Sequence, residues 1–247
     1  MNIGSYWFSD KLAIKSSGAR QTSRTEQPDL WNMVENLSIT AGLPMPKLYI
    51  IEDQAPNAFA TGRNKEHSAV AVTTGLMQIL DKSELEGVIA HELSHIGNRD
   101  ILVMSVVVVL VGFIAIVADM LGRMAMFGGL SNNREGGHPL TMIIGILIMI
   151  IGPIAAKLMQ MAVSRKREFL ADASGALLTR HPDALASALE KISAYSHPMK
   201  KTSSATAHMF ISNPFGTGNK AGKFIRKAFS THPPMEERVA ALNIMST

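Results

Sequence analysis

The sequence contains no cysteine, which excludes both a disulfide framework and a thiolate metal site. Aromatic residues are scarce, at 6%, and no RNA- or DNA-binding module is visible, so no nucleic-acid partner is expected. Charged residues make up only 18% of the 247 positions against 47% hydrophobic ones, and mean hydropathy is +0.14. That is apolar for a protein lying wholly in water. No cleavable signal peptide is expected either, because residues 1–18 mix Ser, Asp and Lys without a continuous apolar core.

What is present is an apolar excess confined to two stretches. Ile101 to Ala118 runs 18 residues without a charge, and Leu140 to Ala156 runs 17. At about 1.5 Å per helical residue, each crosses most of a hydrocarbon core of roughly 30 Å. The alternative is a pair of buried core helices, for which a domain of this size has little room. The net charge of +4 then reads as affinity for an anionic membrane face. Arg99 flanks the first stretch, and Arg165, Lys166 and Arg167 follow the second. In the linker Asp119–Pro139, Arg123 and Arg134 are offset by Asp119 and Glu135. Positive residues favour the cytoplasmic side, so the pair reads as a hairpin over 101–163 dipping from the cytoplasm. Segments 1–100 and 164–247 then lie together at its base.

Those outer segments read as mixed α and β. Asp29 to Thr40 has helical apolar spacing at Leu30, Met33, Val34 and Leu37, ended by Ala41-Gly42-Leu43-Pro44. Leu48–Ile51, Asn57–Thr61 and Ser68–Thr73 read as short strands, the last two joined by a polar turn at Gly62–Glu66. After Arg167 the chain reads as mostly helical, with a loop-rich stretch from His197 to Lys223.

Ser83-Glu84-Leu85-Glu86 has the form of a capping box, with Ser83 as cap and Glu86 reaching back, so a helix is predicted from Ser83 through His95. It carries His91-Glu92-Leu93-Ser94-His95. Histidines four apart share one helical face about 5–6 Å apart, close enough for both to reach one ion. Glu92 stands beside them, angled to hold a water rather than the ion. Alone, this pattern is equally a pair of surface histidines. Glu168 and Asp172, four apart on a later helix, repel each other unless a cation lies opposite. An ion held by two histidines is one such cation, with Glu168 as ligand and Asp172 accepting the other N–H of a ligating histidine. Two solvated acids beside Arg165, Lys166 and Arg167 explain the pair as readily.

Taken together, HELSH with Asn98 and Asp100, the apolar hairpin, Glu168-Phe169-Leu170-Ala171-Asp172 and Thr231-His232-Pro233-Pro234-Met235-Glu236-Glu237-Arg238 resemble the HtpX-type membrane zinc proteases. These are relatives of the CAAX prenyl protease and of the thermolysin-like gluzincins. The resemblance extends from Gly4–Lys11 to the C-terminus, although family members usually carry a further membrane hairpin ahead of that first segment. It implies an α+β fold: a mainly helical zincin-like domain with a small sheet, and a transmembrane hairpin inserted between the zinc-binding helices. It also implies one Zn²⁺ per chain on His91, His95 and Glu168, Glu92 as general base and Asp172 beside a ligand. His232 is implied as oxyanion donor, and Arg238 as support for the site. Asn57-Ala58-Phe59 is similar to the edge strand on which gluzincins hold substrate, implying that Asn57 and Ala58 bind peptide backbone.

The expected function is a multi-pass endopeptidase of the cell (inner) membrane with its catalytic domain cytoplasmic. Its expected partners are the lipid bilayer and unfolded or damaged membrane proteins. Two other readings remain: a dedicated processing protease for a lipidated or membrane-bound peptide, and a catalytically idle zinc-binding membrane adaptor.

Overall fold

A computed structural model of the chain describes residues 9–126, 139–201, 209–212, 214–215 and 233–246. His232 lies outside these residues, as does most of the expected loop at 197–223. The elements run α1 (Ser9–Ser17), β1 (Arg20–Gln21), α2 (Pro28–Thr40), β2 (Lys47–Ile51), β3 (Ala58–Gly62), β4 (Ser68–Thr73) and α3 (Thr74–Ile79). There follow α4 (Lys82–Gly97), α5 (Asp100–Met126), α6 (Pro139–Thr179), α7 (Pro182–Ala194) and α8 (Met235–Met245). Contacts divide the chain into two compact units, Met1–Leu102 with Arg165–Thr247, and Val103–Ser164.

In the first unit, four strands form one sheet in the order β1-β2-β4-β3. β2 and β4 run parallel, and β3 returns antiparallel to β4 with Ala60 opposite Val70. Alternation along the strands divides the core in two. Leu48, Ile50, Ala58, Ala60, Val70 and Val72 face one cluster with Val88, Ile89 and Leu93 of α4 and Leu185, Leu189 and Ile192 of α7. Ile51, Phe59 and Ala71 face the other, with Ala13, Met199 and Phe210. Every residue of β3 and β4 is buried, because both faces are covered.

The cap of helix α4 lies two residues before the expected one. Asp81, not Ser83, is the N-cap: its carboxylate accepts the Glu84 N–H at 2.9 Å, and Glu84 accepts the Asp81 N–H at 2.9 Å. Both Asp81-x-x-Glu84 and Ser83-x-x-Glu86 fit the capping pattern. The earlier one prevails because Glu84 also receives Ser187 Oγ and Lys191 Nζ of α7, each at 2.6 Å. The box that starts the helix therefore also docks it.

In the second unit, α5 and α6 pack through small residues. A Cβ on Gly152 would stand 2.5 Å from that of Ala118, and one on Gly122 would stand 2.9 Å from the Gly145 carbonyl oxygen. Both helices are long and apolar enough to cross a membrane by length and composition, with only 6% and 12% of their most apolar windows buried. Val109, Phe113 and Ile116 are each more than 60% exposed, which a core-helix pair would not leave.

Candidate metal centre

Helix α4 places His91 and Glu92 in the interior, each 1% exposed, with His95 one turn further on. Helix α6 brings Glu168 and Asp172 against them, and its close approach depends on Gly175. A Cβ there would stand 2.9 Å from the His91 backbone nitrogen. Helix α8 contributes Arg238, wholly buried.

One ligand atom each from His91, His95 and Glu168 lies within 4.8 Å of the other two. The two Nε2 atoms are 3.1 Å apart, and the Glu168 oxygens stand 3.9 Å from that of His91 and 3.8 Å from that of His95. The far side of each ring fixes its tautomer. His91 Nδ1 lies 2.9 Å from Asp172 Oδ1, and His95 Nδ1 lies 2.6 Å from Asp100 Oδ2. A carboxylate accepts only, so each Nδ1 carries the proton and each Nε2 presents a lone pair. Two lone pairs at 3.1 Å repel unless something electrophilic lies between them. Two nitrogens on one tetrahedral zinc stand roughly 3.3 Å apart, so the donor set fits such an ion closely.

The electrostatics match this division of roles. Burial holds the His91 imidazole at about 4, below its ordinary value and against the pull of Asp172, so it is neutral at pH 7. Burial alone would raise Asp172, but the Arg238 guanidinium holds its carboxyl at about 2. Arg238 grips it through Nε at 2.8 Å and Nη2 at 2.6 Å, and reaches Glu168 Oε2 at 3.4 Å. Glu92 is different. Burial raises its carboxyl to about 7, with His95 opposing and Glu168 adding to the rise. Its carboxylate accepts the Ala60 backbone N–H of β3, yet Oε2 is buried and has no hydrogen-bond partner among the described residues. A buried acceptor left open beside a metal-ligand set is where a water or substrate proton would be held.

The sequence-predicted residues His91, Glu92, His95, Glu168, Asp172 and Arg238 thus lie in one constellation. Asn57 precedes and Ala58 begins the edge strand β3, whose Ala60 donates to Glu92, and the polar groups of Asn57 and Ala58 are engaged. Ile211 N–H donates to Ala58 O at 3.0 Å, Ser212 N–H donates to Asn57 Oδ1 at 3.2 Å, and Asn57 Nδ2 donates to Ser212 O at 3.0 Å. Phe210, 1% exposed, packs edge-on against Phe59 at 5.0 Å. The groups expected to hold a peptide backbone hold the chain's own residues 210–212.

Asp100 and Arg167 join the site without any role expected of them from the sequence. Asp100 receives the Arg167 guanidinium on its second oxygen. Spacing gives no sign of this contact, since Asp100 is five positions from His95 and begins a different helix.

Comparison with known proteins supplies a family. The family model described as "Peptidase family M48" matches residues 24–246. The chain is similar to the "Protease HtpX homolog" of Tropheryma whipplei (strain Twist), 53% identical over 240 residues that cover 97% of this chain and 80% of that protein. The protein of the same name from Pyrococcus furiosus is 47% identical over 244 residues, covering 98% and 82%. Among solved structures, Ste24p of S. mikatae shares the fold, with a TM-score of 0.64 at 18% identity. That likeness covers 98% of this chain and 56% of Ste24p.

Proposed function

The chain belongs to peptidase family M48 and is a metallopeptidase, and from that premise we propose that it is a zinc-dependent endopeptidase anchored in a membrane by α5 and α6. His91 Nε2, His95 Nε2 and a Glu168 oxygen would hold the ion. When bound, zinc lowers the pKa of a coordinated water toward about 7 and polarises a carbonyl. Glu92 Oε2 accepts the proton of the attacking water and delivers it to the leaving amine. Its buried and open Oε2 is free to make both transfers. Asp172, fixed by Arg238, keeps the His91 Nε2 lone pair directed into the site. His232 is assigned the oxyanion by its place in the His232–Arg238 motif, whose last member already lines the site.

The observation that carries this reading is the meeting of two Nε2 lone pairs and Glu168 beside the open acceptor of Glu92. It also weighs against an idle adaptor, since a structural ion needs no buried base next to it. The substrates we propose are exposed backbone segments of unfolded or damaged membrane proteins, cut at the cytoplasmic face. The support is the basic residues Arg99, Arg165, Lys166 and Arg167 at the ends of the apolar hairpin. Casein cleavage by the wild type and by Glu92→Gln at matched zinc content tests the chemistry. Activity is expected in the first and a loss of at least about 10²-fold in the second. Equal activity in both, or none in either, refutes the mechanism.

A further inference from the structure

Each histidine of the pair is backed by its own aspartate and arginine, but the two sets differ in where they come from. Asp172 and Arg238 belong to α6 and α8. Asp100 is the first residue of α5, and Arg167 directly precedes Glu168 on α6. These are the two membrane-capable helices, and Asp100 and Arg167 pair within the first unit.

The local chain is bent to make this contact. Only Asn98 and Arg99 separate α4 from α5, and Arg99 has φ +55°, a left-handed conformation that L side chains adopt rarely. That turn brings Asp100 back beneath the helix it has just left, with Oδ2 at 2.6 Å from His95 Nδ1. Asp100 is only 5% exposed, so its charge needs a partner, and Arg167 supplies one. Arg167 also donates to the Asn98 carbonyl in the same turn. Asn98 in turn donates from Nδ2 to Ser174 Oγ of α6 at 3.3 Å. The turn is thus held to α6 at two points. A left-handed residue, a buried acid and a half-buried cation meet in this turn, and the acid reaches the ring nitrogen.

We propose that Asp100 and Arg167 are positioning residues that form a latch between α5 and α6, orienting His95 and making metal affinity depend on that pairing. The proposal rests on the metallopeptidase reading. Asp100 accepts from His95 Nδ1, and Arg167 holds Asp100 in register. Because Arg167 and Glu168 are adjacent, α6 sets the second histidine and the third ligand together. Parting α6 from the turn would misdirect both.

The test is metal affinity by chelator competition in detergent-solubilised full-length protein, with Zn²⁺ and with Co²⁺ as a visible-absorption probe. Asp100→Asn and Arg167→Met are each expected to weaken binding about 10–100-fold. The double variant should lose little more than either single one, since both act on one contact. The Co²⁺ bands should shift in both single variants. Arg167→Lys, which keeps the charge on a well-folded chain, should recover part of the loss. Asp119→Asn breaks the exposed pair with Arg123 and should leave affinity unchanged. Single variants that bind within twofold of wild type, or losses that multiply in the double variant, overturn the latch. A wild type that binds neither metal overturns the metal-site reading and the latch with it. A wild type that binds zinc and cleaves nothing overturns the peptidase mechanism while leaving the latch testable by affinity alone.

Discussion

Substituting Glu92 by Gln in metal-free protein keeps the shape of the side chain and removes its titration, so its effect on stability should depend on pH. In the folded chain the Glu92 carboxyl lies at about 7, against an ordinary value of 4.5. A carboxyl raised on folding binds more protons in the folded state between those two values. Its contribution therefore falls as pH rises from 4.5 to 7, and the full penalty is present above 7. About 2.5 units at 1.36 kcal/mol each gives a penalty of about 3 kcal/mol. The wild type alone would not reveal this. His91 is depressed from 6.5 to about 4, so its contribution is lost as pH falls through that window, with slope opposite to that of Glu92. The difference between wild type and Glu92→Gln isolates the carboxyl. Urea unfolding of chelator-treated protein in a Trp7→Phe background, followed by the fluorescence of Trp31 on α2, supplies both curves. The two proteins should be nearly equal at pH 5, with Glu92→Gln more stable by about 3 kcal/mol at pH 8. A difference that stays flat from pH 5 to 8, or a variant less stable at pH 8, refutes the buried, open carboxyl described here.

Other perturbations probe the supports of the site. Gly175→Ala places a methyl 2.9 Å from the His91 backbone nitrogen, so it should cost about 1–3 kcal/mol in denaturant unfolding and weaken zinc binding by chelator competition. Arg238→Met leaves Asp172 charged and buried without its guanidinium, and thermal unfolding of metal-free protein should show a loss of about 3–5 kcal/mol. Asp81→Ala should cost about 1 kcal/mol in urea unfolding and Ser83→Ala less than half of that, the reverse of what a cap at Ser83 would give. Zinc at a thousandfold excess over its dissociation constant should stabilise the wild type by about 4 kcal/mol, read as a rise in melting temperature that EDTA reverses.

Residues whose roles follow from short, regular spacing are legible in the amino-acid sequence itself. The i, i+4 relations of His91 with His95 and of Glu168 with Asp172 survive because a helix turns them into geometry directly. The alternation of Leu48–Ile51 and Ser68–Thr73 likewise becomes strands. Local competition is less legible. Asp81 and Ser83 both satisfy the cap pattern, and the choice rests on Glu84 meeting Lys191, 107 positions away. Contacts made by tertiary return are not legible at all. The segment 210–212 reaches β3 from about 150 positions downstream, and Asp100 reaches His95 only through the left-handed Arg99, which sequence periodicity does not register.

The charges of the constellation bear on the proton affinity of Glu92, the base proposed above. Around the two imidazoles stand three acids, Glu168, Asp172 and Asp100, and two guanidinium groups, Arg238 and Arg167. The acids outnumber the guanidinium groups by one. Glu92 is a further acid in this group, and burial, with Glu168 adding to it and His95 and Arg238 opposing, raises its carboxyl to about 7. A divalent cation held by His91, His95 and Glu168 would add two positive charges beside Glu92. It would draw the carboxyl below its metal-free value and favour the ionised form. The aspartate–arginine pairs keep this balance narrow. Losing either arginine adds a negative charge that Glu92 would have to offset by protonation. Neutralising either aspartate frees a guanidinium charge and a histidine tautomer together. The proton affinity of the proposed base is therefore set by the whole group, and the two arginines, neither of them among the proposed ligands, help to set it.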